Sequence, residues 1–226
     1  MNTKATAKAK TGQAKQPVKP AEPMHYKFLT EVALDIYDAA ITKGASNKGA
    51  LFVISHAAIE SGWALDALKY KDYNLFGMMT LGTDFKRKTS HGNVKDYSNS
   101  GGFKASMDDY FAKIDSHKWS GTALIAKIEI TFSDIDKAFN TGEYYPTNKQ
   151  RHDGAYAYNA DMDSQNKNHY GEYVYKQMKS VKKRLLEALS FKIDSIEKVT
   201  ELSTDEKQSI SKRLTNIRDA IDGVTL

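Results

Sequence analysis

Apolar residues recur at three- and four-residue steps over most of this chain. Phe28, Leu29, Val32, Ile36 and Ala40 share one helical face, and Lys43-Gly44-Ala45-Ser46 marks where that helix ends. Ser46 or Asn47 can cap the next helix through a side-chain oxygen. That second helix runs through Leu51-Phe52-Val53-Ile54-Ser55-His56-Ala57-Ala58-Ile59 to Glu60 and is apolar or small almost throughout. Ser61 and Gly62 stop it, and Trp63 follows. Asp66 to Lys71 reads as a short helical turn or loop, and Tyr73-Asn74-Leu75-Phe76-Gly77 as a tight turn.

Between residues 78 and 102 the pattern changes. Gly82, Gly92, Gly101 and Gly102 punctuate short β-prone pieces, Asp84 to Lys88 and Asn93 to Tyr97, which predicts a small hairpin-like or loop-rich lobe. Helical spacing returns with Phe103, Met107, Tyr110, Phe111 and Ile114. Further helices are expected over 121–129 and 132–140, then a loop over 143–150 bearing Pro146. A long helix from about Tyr170 to Val199 carries Val174, Met178, Val181, Leu185, Leu189, Ile193 and Ile196 on one stripe. Ser203-Thr204-Asp205-Glu206 is a capping-box signal, and Ile210, Leu214, Ile217 and Ile221 continue beyond it. The two helices are expected to form an antiparallel hairpin, packed on the domain or extending from it. The fold class is mainly α, an α+β arrangement of a helical domain, a small β or loop lobe and a C-terminal helical hairpin.

Composition narrows the options. The chain has 226 residues, 40% hydrophobic and 27% charged, the balance of a soluble globular protein. Its net charge of +5 attracts polyanions: nucleic acid, anionic lipid or an anionic cell wall. No helix-turn-helix, zinc-finger or RNP-type pattern accompanies that charge, so nucleic acid is not the expected partner. The absence of cysteine excludes disulfides, thiol catalysis and cysteine metal sites. No apolar run is long enough for a membrane span. Residues 1–23 are a Lys/Ala/Thr/Gln run ending in prolines, expected to be a disordered basic tail or linker. Its lysines precede no apolar segment, so no Sec signal is expected.

Glu60 stands out chemically. An ionisable group at the end of an apolar helix is costly unless it is paired or functional. Apolar, aromatic surroundings favour the protonated form of a carboxylic acid, which is the form a general acid needs. The plain alternative is a cap or a buried ion pair. His56 lies one turn earlier on the same helix face, where it reads as a hydrogen-bonded core histidine able to tune the acid. The pair does not form a His-Glu-x-x-His zinc pattern. A second constellation is Asp161-Met162-Asp163-Ser164-Gln165-Asn166-Lys167-Asn168-His169-Tyr170-Gly171-Glu172. It fits the twelve-residue EF-hand template, with Asp161, Asp163, Gln165, the Lys167 carbonyl and Glu172 as calcium ligands. Asn166 stands where Gly is usual, and Asn tolerates the left-handed conformation better than most residues. A polar loop with an ordinary capping glutamate is the alternative.

Ala57-Ala58-Ile59-Glu60-Ser61-Gly62-Trp63 followed by Tyr73-Asn74-Leu75-Phe76-Gly77-Met78 resembles the glucosaminidase group of bacterial cell-wall hydrolases, within the lysozyme-like superfamily. Val94-Lys95-Asp96-Tyr97 and Phe103-Lys104-Ala105-Ser106-Met107-Asp108-Asp109-Tyr110 extend the likeness, which covers roughly residues 28–188. The resemblance implies a lysozyme-like glycosidase domain over 24–189, with the EF-hand-like loop at 161–172 and a helical extension over 190–226. It implies Glu60 as general acid and Tyr158 as the tyrosine facing it. Trp63, Asn74, Phe76 and Tyr97 become the expected substrate-binding positions, although core packing serves Trp63 and Phe76 equally well. Many members also carry a second acid in a Thr-x-Glu piece of the β lobe. Here Thr83-Asp84-Phe85 is the nearest substitute, with Asp96 as rival. Calcium is the expected structural cofactor, as in EF-hand loops of some lysozyme-fold transglycosylases.

The expected activity is hydrolysis of β-1,4 glycosidic bonds of peptidoglycan, as an N-acetylglucosaminidase or a muramidase. Such cleavage needs a proton for the leaving oxygen and help for an oxocarbenium-like transition state. The help comes from Asp84 or Asp96 as base, from the substrate's acetamido group, or is dispensed with in a single-acid lytic transglycosylase. A non-catalytic cell-wall binding module is the alternative from a different class, and a nucleic-acid binder with a basic tail is a third. The expected partners are glycan strands and, for an antibacterial effector or phage lysin, an immunity protein or delivery apparatus; a monomer is expected. The chain would be made in the cytoplasm and reach the cell wall by non-Sec export or lysis. For the calcium loop, calcium should raise the melting temperature of the parent but not of Asp161→Ala/Glu172→Ala. A parent that melts at the same temperature with and without calcium would refute the site.

Overall fold

A computed structural model describes residues 23–89, 92–114, 121–127, 129–131, 133–135 and 170–226. The first helical run joins α1 (Pro23–Lys27), a π turn (Phe28–Val32) and α2 (Ala33–Thr42). Its apolar face buries Phe28, Leu29, Val32, Ile36 and Ala40, the stripe read from the sequence. The widened turn is tied from outside, because Lys192 Nζ donates to the Thr30 carbonyl at 2.8 Å.

α3 (Asn47–Glu60) is buried along its whole middle, from Lys48 to Ala58. A helix apolar on all sides must be covered on all sides. α2, α6 (Gly121–Ala126), α7 (Tyr170–Ile196) and α8 (Thr204–Asp222) do this. Ser46 caps α3, accepting from the Gly49 N–H at 2.9 Å. Its hydroxyl donates to the Lys127 carbonyl at 2.6 Å, so one side chain starts the helix and anchors the segment beside it. The approach there is close: a Cβ at position 49 would lie 1.8 Å from the Ile125 carbonyl oxygen. Only glycine lets the two backbones meet.

α7 and α8 form the antiparallel hairpin, and it packs on the domain. Val174, Met178, Val181, Leu185, Leu189 and Ile196 share one core with Leu214, Ile217 and Ile221. α7 passes through position 190 without a break and ends at Ile196, three residues before the expected end. The Ser203–Glu206 capping box forms in both directions. Lys182 Nζ closes the far end of α8 on the Asp222 and Val224 carbonyls, at 2.8 and 2.6 Å.

α4 (Leu65–Tyr70) occupies the expected short helical turn. β1 (Met79–Thr80), β2 (Phe85–Thr89) and β3 (Gly92–Lys95) form an antiparallel sheet in the order β1-β3-β2. Met79 and Arg87 both sit opposite Val94, and the register shifts between Phe85 and Arg87. The last strand stops two residues before Tyr97. α5 (Phe103–Ile114) follows and buries Ser106, Met107, Tyr110, Phe111 and Ile114. α6 ends at Ala126 rather than 129, and of the helix expected over 132–140 only residues 133–135 are described, as helix. The described residues are therefore mainly helical, with one small three-stranded sheet among them.

Gly49→Ala should destabilise the fold by about 3 kcal/mol, the upper end for overpacking, because the obstacle is backbone and cannot rotate away. Urea denaturation measures this; a loss under about 1 kcal/mol would contradict the close approach.

Candidate functional site

Glu60 is the last residue of α3, and its side chain is only 3% exposed. One turn back, His56 is fully buried, with Nε2 3.6 Å from Glu60 Oε1. The other ring nitrogen, Nδ1, lies 3.2 Å from the Tyr110 hydroxyl of α5. Carboxyl, imidazole and phenol thus form a line from the end of α3 into the core. Aromatic rings wall it. Phe52 stacks along His56 at 5.8 Å between centroids, and Phe76 stacks on Tyr110 at 3.9 Å. Burial pushes the Tyr110 phenol well above its usual range, and the neighbouring Glu60 charge pushes the same way. The phenol therefore keeps its proton at neutral pH.

The backbone beyond Glu60 is strained. Gly62, Trp63 and Ala64 take φ of 55°, 62° and 62° in succession. Left-handed geometry costs about 1–2 kcal/mol for a residue with a Cβ, and such strain persists only where surrounding contacts impose it. Ser61 imposes it here: its hydroxyl donates to the Ala57 carbonyl at 2.6 Å and accepts from the Ala64 N–H at 2.8 Å. The turn directs the Trp63 ring towards α1 and α7. It meets His25 at 4.8 Å, Phe28 edge-on at 5.6 Å, and the Arg184 guanidinium at 5.2 Å.

The 73–78 turn is held by Asn74, which is buried and uses its whole amide. Its NH2 donates to the Met78 and Lys95 carbonyls at 2.8 and 3.0 Å, and its oxygen accepts from the Met78 N–H at 2.9 Å and the Phe76 N–H at 3.3 Å. Asn74 thereby ties the turn to β3. Asp72 adds a second tie. This buried carboxylate accepts from the Asn74 N–H at 3.0 Å and from Arg87 Nε of β2 at 2.6 Å. The Arg87 guanidinium also lies over Tyr70 at 5.1 Å. Asn74 and Phe76, expected at the substrate, are both buried, and the Phe76 ring lies against His56 and Tyr110.

Tyr97 is likewise buried. Its hydroxyl donates to the Asp109 carboxylate, which also accepts from Lys95 Nζ at 2.9 Å. Burial alone would raise Asp109, but those two donors hold it below the usual carboxylate range. Of the two candidates for a second acid, Asp96 is engaged. Its carboxylate accepts from the Ser98 N–H at 2.9 Å and hydroxyl at 3.0 Å, with Lys86 at 3.4 Å, and these outweigh burial to hold it below the usual range. Asp84 is exposed, with one long bond from the Thr80 hydroxyl at 3.3 Å.

Tyr158, Asp161, Asp163, Gln165 and Lys167 lie outside the described residues, and Glu172 stands in the first turn of α7. Among the described residues no cluster of His, Asp or Glu suits a metal ion, and no helix is long and apolar enough to cross a membrane. Sequence reasoning missed Tyr110 and the Asp72–Arg87 pair. Tyr110 was read as one more position on an apolar stripe; its polar end carried no signal until His56 stood opposite. Comparison with protein families, with curated proteins and with solved structures found no match to this chain.

Because Asp109 is held low in the folded protein, its stabilisation is present above the ordinary aspartate range near ~4 and is lost as pH falls through the depressed value. Asp109→Asn should lower stability at neutral pH and flatten its decline on acidification, measured by urea denaturation from neutral to acidic pH. A decline as steep as that of the parent would contradict this.

Proposed function

We propose that this protein cleaves β-1,4 glycosidic bonds of peptidoglycan, with Glu60 as general acid in a lysozyme-like cleft. The observation that carries the reading is a carboxyl group at the end of the core helix, 3% exposed, backed by His56 and followed by a strained turn. That group sits where the sequence likeness puts the acid. In the reaction, Glu60 transfers its proton to the glycosidic oxygen as the C1–O bond breaks, and the departing sugar leaves as an alcohol. Positive charge develops on the remaining ring and is relieved by water, by a carboxylate or by the substrate's own acetamido oxygen.

Asp84 is the better candidate for the supporting carboxylate, since it is exposed while Asp96 is bound by Ser98 and Lys86. The engagement of Asp96 also favours a second reading, a lytic transglycosylase that needs one acid and closes an anhydro ring. Tyr158, three residues before a loop over 161–172 that calcium would pin, would stabilise the developing charge. The net charge of +5 suits an anionic wall polymer.

Glu60→Gln should reduce glycan-strand cleavage by about 10²–10⁴-fold, the range for loss of a general acid, while binding to purified sacculi and the melting temperature stay near those of the parent. Undiminished cleavage would sink the assignment.

A further inference from the structure

The line from Glu60 does not stop at His56. His56 Nδ1 faces the Tyr110 hydroxyl at 3.2 Å, and both side chains are fully buried. A neutral imidazole has one N–H and one acceptor nitrogen, and which is which is set by the partner of each. A neutral phenol can donate or accept, so this pair alone does not choose. The other nitrogen, Nε2, faces a carboxyl group whose ionised form only accepts, and a proton on Nε2 leaves Nδ1 as the acceptor of the phenol's hydrogen bond. The single ring proton then belongs on Nε2, which faces Glu60 Oε1 at 3.6 Å. That distance is beyond a hydrogen bond in the free protein. Such contacts tighten when substrate completes the site.

We propose that Tyr110 and His56 are positioning residues for Glu60: the phenol donates to Nδ1, fixes the Nε2–H tautomer, and aims that N–H at the carboxylate. The proposal rests on the reading of Glu60 as the acid. When Glu60 gives up its proton, the new carboxylate meets a donor already in place, and no proton leaves His56. The rings of Phe52, Phe76 and Tyr110 keep the imidazole from turning. Among the described residues, the titratable groups on other elements packed against α3 have these partners. His25 of α1 and Arg184 of α7 meet each other at 3.1 Å beside Trp63. Tyr37 of α2 and Glu129 engage Asn47 and Lys48 at the opposite end of α3.

The test combines pH profiles of sacculus cleavage with the nitrogen chemical shifts of His56. The alkaline limb of kcat/KM reports loss of the acid's proton. The Nε2–H favours the ionised carboxylate, so its removal moves that limb upward. His56→Leu should raise the limb by about one pH unit and lower cleavage about tenfold, the weak end for a hydrogen bond to a charged group. His56→Gln, which keeps an N–H donor, should restore the limb to near the parent's position. The parent's nitrogen shifts should show Nε2–H alone, and Tyr110→Phe should show mixed tautomers. Nδ1–H in the parent, or an unmoved limb in a folded His56→Leu, would overturn the proposal. If Glu60→Gln abolishes cleavage while the limb of His56→Leu stays put, the positioning role fails and the acid stands. If the parent does not cleave glycan at all, the acid reading fails and the positioning role with it, while the shifts still decide the tautomer.

Discussion

Burial of α3 on every side is the constraint from which the rest of the structure follows. A helix with water on no face cannot send its polar side chains to solvent, so each must find a partner inside. Ser55 turns back on the Leu51 carbonyl at 2.7 Å. Ser61 does the same at the helix end while fixing the turn that follows. His56 is not satisfied in this way: its ring lies between Glu60, at 3.6 Å, and the Tyr110 hydroxyl of α5, at 3.2 Å. The covering helices are set by the same need. Gly49 admits the backbone before Lys127, and the α7–α8 hairpin closes the remaining side.

The lobe beyond Glu60 depends on two polar ties rather than on apolar area. Its strands are short and largely exposed. Asn74 binds the 73–78 turn to β3, and Asp72 binds the same segment to β2 through Arg87. A buried ion pair is seldom a large net source of stability, but breaking it from one side leaves an uncompensated charge. Its effect here is geometric: it sets the sheet against the helical domain at the end of α3. Left-handed backbone recurs along the same stretch, at Trp63, Ala64, Lys71 and Tyr73. Strain and buried polar ties are thus concentrated in the stretch that follows Glu60 in the sequence.

Most of the helical architecture was legible from spacing. The stripes of the first helix and of α7, the Ser46 cap and the Ser203–Glu206 box all depend on neighbours within a turn, and local sequence encodes them. The polarity of the site was legible at Glu60, because a carboxylate closing an apolar run has few explanations. What was not legible depends on contacts distant in sequence. Asn74 and Phe76 looked like cleft positions, and their partners Lys95 and Tyr110, which lie on other elements, bury them. Trp63 was open equally to sugar stacking and to core packing. Three consecutive left-handed residues, which no propensity foretells, send its ring to His25, Phe28 and Arg184.

We propose that the buried carboxyl of Glu60 cuts the glycan strand. Mass spectrometry of the soluble products released from purified peptidoglycan tests it most directly. Fragments ending in a reducing N-acetylglucosamine or N-acetylmuramic acid, or in an anhydro sugar if one acid suffices, are expected. Peptidoglycan whose glycan strands stay uncut on exposure to the folded protein would contradict it.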